Sequence, residues 1–133
     1  MMIVNCIPHA MQRYDTCGDW YDSSGITHIT VSQMDFDKEV ETLLHEIFEC
    51  LLCAKAGITA GMVDDWDFKH TELKEPGKPP ECPYSEQHEK AMQISKLAVK
   101  LLGLDWKDYE IEYDKLADKL SEEWEIKHGN LRT

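Results

Sequence analysis

One stretch of the chain, residues 42–52, constrains the structure most, because as a helix it places ionisable side chains in a fixed relation. It reads T-L-L-H-E-I-F-E-C-L-L, with His45 and Glu49 four residues apart. On a helix that spacing puts both side chains on one side, one turn apart. A histidine nitrogen and a carboxylate oxygen so placed can both reach one zinc ion at about 2.0–2.2 Å. The sequence therefore predicts His45 and Glu49 as metal ligands.

The glutamate that directly follows the histidine, Glu46, lies about 100° further round the helix. It cannot share the face of the two ligands, but it can stand beside the metal and take a proton from a bound water. This is the geometry of the H-E-x-x-H helix of zinc proteases, with a glutamate in the second ligand position. We therefore predict Glu46 as the catalytic base.

Apolar residues flank this stripe on both sides. Leu52 and Ala56 lie close to one side of it, and the arc on the other side covers about half of the helix. That arc contains Val40, Leu43, Leu44, Ile47, Phe48, Cys50, Leu51 and Ala54. A partly buried histidine and carboxylate need partners, and a metal ion is one such partner. The alternative is a solvated helix face, and the flanking residues favour the metal.

His88 is the candidate for a third ligand. A second helix is predicted over residues 85–102, and His88 lies one turn before Ala91 on its apolar face. The side chain is therefore expected to point inward. A catalytic zinc site takes three protein ligands and keeps a fourth position open for water. We predict that His45, Glu49 and His88 hold zinc; the alternative for His88 is a hydrogen-bonded core histidine.

The remaining patterns predict a single α+β domain over residues 1–133. Residues 2–7 and 26–32 are expected as strands, the second because β-branched residues alternate along it. Trp20 and Tyr21 are expected in a further strand. The central helix is predicted over residues 37–56, with Gly57 as the residue that ends it, and a third helix over residues 106–127. We expect a small antiparallel sheet packed on about three helices.

Residues 58–83 are predicted to form an irregular surface loop, because four prolines and a glycine lie near its end. Within it, Asp65 or Asp67 is a candidate to orient a metal-bound histidine. The alternative is that both carboxylates are solvated. His9 and His28 are expected at the surface, away from the site.

Cys50 and Cys53 form a C-x-x-C pair on the central helix. A redox pair or half of a zinc knuckle is one interpretation. We favour a core residue, Cys50, and a small helical filler, Cys53, since only Cys82 could complete a cysteine site.

Charge and composition exclude several classes of protein. The formal net charge of −12 argues against nucleic acid as a partner, because binding phosphates requires clustered lysines and arginines. No run of about 18 apolar residues predicts a membrane span, and no secretory signal is evident at the N-terminus. An odd number of cysteines, five, fits a reducing cytoplasm better than a secreted disulfide scaffold. We expect a cytoplasmic protein of a bacterium or a phage-infected cell.

The order of a strand, the L-L-H-E-I-F-E helix and a later helix histidine resembles minimal zincin-like metallopeptidases, among them ImmA/IrrE-type and SprT-like domains. More closely, the chain resembles small uncharacterised phage and prophage proteins over roughly residues 11–115. The motifs that carry this second resemblance lie at residues 13–20, 44–52, 63–67, 75–77, 83–91 and 102–106. It implies no activity, while the zincin resemblance implies a zinc hydrolase, with Glu49 where those peptidases have a second histidine.

Three functional hypotheses follow. The leading one is a zinc-dependent, peptidase-like hydrolase, in which an extended peptide pairs with the edge of the strand before the central helix. The second is a non-enzymatic phage accessory protein with a structural or vestigial metal, whose acidic surface engages a basic host protein. The third is a nucleotide hydrolase with Mg²⁺ on Glu46 and Glu49, which His45 and His88 disfavour because imidazole suits zinc better.

Overall fold

The computed structural model describes residues 1–129, which form a three-stranded sheet and four helices. The strands are β1 (Met2–Ile7), β2 (Gly18–Ser23) and β3 (Ile26–Ser32). The helices are α1 (Phe36–Ala56), α2 (Ala60–Lys69), α3 (Ser85–Leu101) and α4 (Trp106–Gly129), and a 3-10 turn spans His9–Met11. The predicted α+β class is confirmed, and so are the two strands and three helices expected from the sequence, within one or two residues at each end.

The sheet is mixed, which corrects the expectation of an antiparallel one. Its order is β1-β3-β2, with β2 and β3 antiparallel. Ser24 and Gly25, at φ 52° and 76°, form the two-residue turn between them, and positive φ at both positions gives the twist that a tight hairpin needs. β1 runs parallel to β3, because the chain crosses through the 3-10 turn before β2 starts on the other side. Both edges of β3 are therefore paired.

Helix α1 is the centre of the packing, since it lies against both the sheet and α3. It ends where the sequence predicts: Gly57 has φ 75°, and its N–H donates to the carbonyls of Cys53 and Ala54. A glycine tolerates this left-handed conformation without a steric penalty. The core beneath α1 consists of Trp20, Ile29, Cys53, Ala60, Val63, Cys82 and Tyr84.

Helix α2 occupies part of the stretch predicted as a loop, so that prediction is wrong for its first half. The helix begins after Thr59, whose Oγ1 accepts a hydrogen bond from the Met62 N–H at 3.2 Å. Val63 and Asp67, one turn apart, are buried. The prolines all come after residue 75 and break only the second half.

Helix α4 packs its C-terminal half against the 3-10 turn. Trp124 Nε1 donates to the Gln12 carbonyl at 3.3 Å, and His128 Nε2 lies 2.9 Å from the Ala10 carbonyl. At the other end, Asp105 Oδ2 accepts the Asp108 N–H at 3.1 Å and caps the helix. None of the helices within residues 1–129 is both long and apolar enough to cross a membrane.

The expectation that His9 lies at the surface is wrong. The ring is buried, with Nδ1 2.7 Å from Ser32 Oγ and Nε2 2.7 Å from Asp15 Oδ1. Ser32 is itself inaccessible, so this serine, histidine and aspartate tie β3 to the turn before β2 and offer no nucleophile. His28 is partly buried and stacks on Tyr21, away from the cleft described below.

Candidate metal centre

Helices α1 and α3 bring the three predicted ligands together. His45 and Glu49 lie on α1, one turn apart, and His88 comes from the first turns of α3. Glu49 Oε2 is 3.2 Å from His45 Nε2 and 3.0 Å from His88 Nδ1. One ligand atom from each of the three residues lies within 4.8 Å of the other two. The packing of α3 against α1 therefore brings His88 close to the His45–Glu49 pair, a proximity that the sequence alone could only suggest.

Two of the three spacings in this group are compatible with ligands of a single small cation. Ligand atoms at about 2.0–2.2 Å from one zinc ion in a tetrahedron lie roughly 3.3–3.5 Å from each other. The two distances to Glu49 Oε2, 3.2 and 3.0 Å, are close to that value. Two imidazoles and one carboxylate are a donor set that suits zinc, with a fourth position left for water.

The carboxylate in this group is held in its charged form. Burial alone raises the pKa of Glu49, but the hydrogen bonds with His45 and His88 outweigh burial and lower it. Burial likewise lowers the pKa of His88, while its hydrogen bond with Glu49 and the nearby carboxylate of Glu75 raise it to about 9. At neutral pH the negative charge of Glu49 therefore attracts a cation, which in the metal-free protein is a proton on imidazole.

Other contacts surround the atoms of Glu49 and His88 that do not face each other. Trp20 Nε1 donates to Glu49 Oε1 at 3.2 Å, so Oε2 is the oxygen left to face the histidines. His88 Nε2 is buried and has no hydrogen-bond partner among residues 1–129; the nearest carboxylate oxygen, Glu75 Oε1, is 3.8 Å away. Gly77 packs on the ring so closely that a Cβ there would lie 2.6 Å from His88 Cγ.

A chain of buried hydrogen bonds supports His45 from behind. His45 Nδ1 is 3.4 Å from Ser95 Oγ on α3. Ser95 Oγ donates to Glu41 Oε2 at 2.8 Å, and the Tyr109 hydroxyl on α4 donates to Glu41 Oε1 at 2.9 Å. The imidazole that faces the metal position is therefore contacted on its other nitrogen by a group connected to a carboxylate, as is usual for metal-bound histidines.

Glu46 lies beside this group and does not belong to it. The set of converging ligand atoms in the described chain contains His45, Glu49 and His88 alone. Gly18 of β2 packs against the Glu46 side chain, where a Cβ would be 2.7 Å from both Cγ and Oε1. Burial raises the pKa of Glu46 well above its ordinary value, and the charge of Glu49 raises it further. A cation on the three ligands would oppose that shift.

The group opens into a cleft of about 500 Å³ between α1, β2, the 71–78 segment and α4. Carboxylates dominate its lining; they are Asp15, Asp19, Glu41, Glu46, Glu49, Asp67, Glu72, Glu75, Glu110, Asp114 and Asp118. The two lysines in the lining are paired, Lys74 with Asp118 at 3.0 Å and Lys78 with Glu75 at 3.8 Å. The cleft is therefore strongly acidic.

Neither aspartate proposed to orient a ligand contacts a histidine of the group. Asp67 is buried and accepts hydrogen bonds from the hydroxyls of Tyr14, at 3.0 Å, and Tyr84. Burial raises its pKa to about 6, although the two hydroxyls oppose the shift. Asp65 is exposed on α2 and pairs with Lys69. Asp67 thus lines the cleft floor, and Asp65 is the solvated carboxylate of the two.

The cysteines take no part in the group. Cys53 is fully buried and Cys50 partly so, the reverse of the predicted roles. Burial raises the pKa of Cys53 to about 12, so it stays a protonated thiol. Cys82 is also buried and lies in the same core cluster.

Sequence reasoning missed Glu41, Ser95, Tyr109 and Trp20. A signal existed for Glu41, which stands one turn before His45 and extends the same polar stripe on α1. For the other three residues, the contact depends on which helix or strand packs against α1, and local sequence does not contain that information.

No protein-family model, no curated protein and no solved structure matches this chain.

Proposed function

We propose that this protein is a zinc-dependent, peptidase-like hydrolase. The observation that carries the proposal is that one ligand atom each of His45, Glu49 and His88 lies within 4.8 Å of the other two, in an open cleft that Glu46 also lines. Zinc bound there would lower the pKa of a coordinated water towards neutrality and polarise an amide carbonyl. The three ligands come from two packed helices, which supports a pre-formed site.

Glu46 is the proton carrier in this proposal. Its carboxylate lies on α1 next to the ligand pair, and Gly18 fixes its position from the side of β2. It would accept a proton from the attacking water and pass it to the leaving amine. Glu49 has a different part: its negative charge neutralises some of the charge that a cation brings, which favours binding of the metal over strong activation of water.

The charge of the cleft favours a cationic substrate, such as a lysine- or arginine-rich peptide segment. Both lysines of the lining are already paired with carboxylates, so an acidic peptide would meet uncompensated repulsion. The pairing of substrate with the strand before the central helix, expected from the sequence, is excluded because β1 and β2 occupy both edges of β3. β2, which lines the cleft, is an edge strand of the sheet, on the side of β3 opposite to β1.

The metal assignment is tested by elemental analysis of protein purified without an affinity tag. We expect close to one zinc per chain, and loss of most of it in His45→Ala, Glu49→Ala and His88→Ala. The matched control is His28→Ala, which removes an imidazole on the sheet outside the cleft and should leave zinc unchanged. Full zinc in all three ligand variants would refute the assignment.

The enzyme assignment is tested by Glu46→Gln, which keeps the size of the side chain and removes the base. Zinc content and folding should stay nearly intact, while hydrolysis of a cationic peptide falls by about 10²–10⁴. Loss of zinc in this variant would instead make Glu46 a ligand.

A non-enzymatic accessory protein is the second candidate, and Glu49 favours it because a carboxylate secures the metal better than it activates water. It predicts bound zinc, no cleavage in a broad peptide screen and binding to a basic protein. The resemblance to phage proteins supports either role inside a bacterial or phage-infected cell, and the free cysteines support a reducing cytoplasm. A Mg²⁺ site on Glu46 and Glu49 has less support, because Glu46 lies outside the converging atoms.

A further inference from the structure

We propose that the outer edge of β1 is an interface at which two copies of this chain pair, strand against strand and antiparallel, about a twofold axis. Within residues 1–129, β1 hydrogen-bonds to β3 on one side and has no strand on the other. The pair would therefore form one continuous six-stranded sheet. No residue of β1 is among those that line the acidic cleft, so the proposal is independent of the metal site.

The outer edge of β1 presents a row of unused backbone groups. The carbonyls of Met1 and Ile7 accept hydrogen bonds from N–H groups at the two ends of β3, 3.1 and 2.8 Å away. The N–H and C=O of one residue point to the same side of a strand, and successive residues alternate. The odd-numbered residues therefore face β3, while Met2, Val4 and Cys6 turn both groups outward. Such an edge is a template for another strand.

The same three residues place apolar side chains on the helix side of the sheet. Val4 is opposite Ile29 on β3 and projects on the same face, and Cys6 is related to Val31 in the same way. Both residues of β3 are fully buried. Val4 is nevertheless 38% exposed and Met2 51% exposed, because α1 lies over β2 and β3. The apolar face of β1 is therefore left without a cover.

Helix α1 adds an apolar strip beside this face. Each step of three residues back along the helix turns the position by about 60°. Glu46 packs on β2 and Leu43 on the core beneath the helix, so Val40, the next step, faces the β1 side. Phe36, Val40 and Leu44 form a strip there, with 79%, 37% and 39% of their surface exposed.

Charge favours a second copy as the partner. The net charge is −12, so two copies repel each other wherever their carboxylates meet. Residues 1–12 contain no Asp, Glu, Lys or Arg, so β1 lacks the charges that commonly protect an edge strand. Like-charged copies can therefore meet there, whereas a basic partner would find no carboxylate on β1 to pair with. An antiparallel twofold pair also sets each outward N–H against a C=O.

One register uses all three outward positions of both strands. It places Val4 opposite Val4 of the second copy, and Met2 opposite Cys6 of the second copy. From their exposed fractions, the apolar side chains of β1 and α1 present on the order of 500 Å² per molecule, so a pair would bury about 1,000 Å² besides the strand backbones, the lower end for a specific interface. We therefore expect a weak dimer.

Association is measured by sedimentation of the full chain. We expect a monomer at about 5 µM and mostly dimer at about 500 µM, as for a dissociation constant in the micromolar range. Val4→Lys sets two charges against each other at the centre of the pair and should stay monomeric throughout. Met62→Lys changes an exposed apolar residue of α2, the helix beside β2 at the opposite edge of the sheet, and should dimerise like the parent.

Disulfide formation tests the register. In a Cys6→Ser background, Val4→Cys sets two thiols directly opposite each other, with Cα atoms about 5.5 Å apart, a distance that a disulfide spans. Oxidised glutathione should convert this variant into a covalent dimer. Met2→Cys in the same background is the control, because its two thiols would lie about 13 Å apart along the strands and could not join. Equal cross-linking of both variants would overturn the proposed pairing.

Each other outcome also decides the proposal. A wild-type chain that stays monomeric at the highest concentration would overturn it and leave the edge to a strand of another protein. A dimer that Val4→Lys does not weaken would place the interface elsewhere. Unfolding of Val4→Lys would not remove the test, because the cysteine variants introduce no charge. Zinc content should be the same in all these variants, so a failure of the metal assignment is measured separately.

Discussion

The contact between Gly77 and His88 predicts that a single methyl group disables the proposed metal site. Gly77 does not have a positive φ, so alanine is acceptable to the backbone and only space is at issue. A Cβ at residue 77 would lie 2.6 Å from His88 Cγ, whereas ordinary contacts begin at 3.4 Å, so ring or backbone must move by about 0.8 Å. Metal–ligand distances tolerate only about 0.2 Å.

The expected consequence of Gly77→Ala is a loss of zinc affinity of about 10–100-fold, or roughly 1.4–2.7 kcal/mol. The same loss of affinity should reduce the stabilisation that zinc gives the protein against thermal unfolding. Zinc at 100 times the parent dissociation constant stabilises the parent by about 2.7 kcal/mol, but a variant that binds 100-fold more weakly by only about 0.4 kcal/mol. Chelator competition and unfolding with and without zinc measure the two quantities independently.

Gly61→Ala is the matched control for this experiment. Its Cβ would meet nothing closer than Thr59 Oγ1 at 3.8 Å, and Gly61 lies in helix α2 away from the ligands. We expect unchanged zinc affinity and a gain in stability of about 0.4–1 kcal/mol. Zinc binding by Gly77→Ala within twofold of the parent would show that the 75–79 segment yields instead of the ring, and the steric argument would be wrong.

Three further predictions concern protons, charge and capping. Zinc uptake near pH 7 should release about one proton, because the pKa of His88 is raised to about 9 and the metal needs its neutral ring. Calorimetry in buffers of different ionisation enthalpy measures this release, and binding heats that do not depend on the buffer would contradict it. The double variant Glu110→Lys/Asp114→Lys should weaken binding of a labelled lysine-rich peptide by about 10-fold at low salt and by less at high salt. The control Glu122→Lys/Glu123→Lys, on the same helix but outside the cleft lining, should leave binding unchanged, and equal effects of the two double variants would show that the cleft does not bind the peptide. Thr59→Ala should lower the free energy of unfolding by about 1 kcal/mol in urea titrations, because α2 loses its cap, and no change would place the start of α2 elsewhere.

The sequence was most informative where one element determines the geometry. The distance between His45 and Glu49 follows from helical spacing alone, so the structure reproduces it on α1. The inward direction of His88 followed from the apolar face of α3 in the same way. The start of α1 shows the limit of such reasoning. Asp35 directly precedes the helix, where an aspartate commonly caps the first backbone N–H groups, but its carboxylate contacts Lys38 Nζ at 3.1 Å instead.

The sequence was least informative where burial depends on a distant partner. Helix α2 turns Asp67 inward, and an inward carboxylate breaks the apolar pattern by which helices are found. Its burial is acceptable only because Tyr14 and Tyr84, from two other parts of the chain, supply hydroxyls. The parallel pairing of β1 is a similar case, since a strand pattern does not say in which direction its neighbour runs.

The strand order also bears on the sequence in which the molecule folds. The β2–β3 hairpin and helix α1 form from residues that are close along the chain, and such contacts form quickly. β1 must instead pair with residues about 25 positions away, Met2 opposite Thr27, and His88 must reach a glutamate 39 positions before it. Closing these longer loops costs more chain entropy, so both contacts belong to late steps. A metal that binds only after His88 docks would stabilise the product of the last step, slowing unfolding while leaving the rate of folding nearly unchanged.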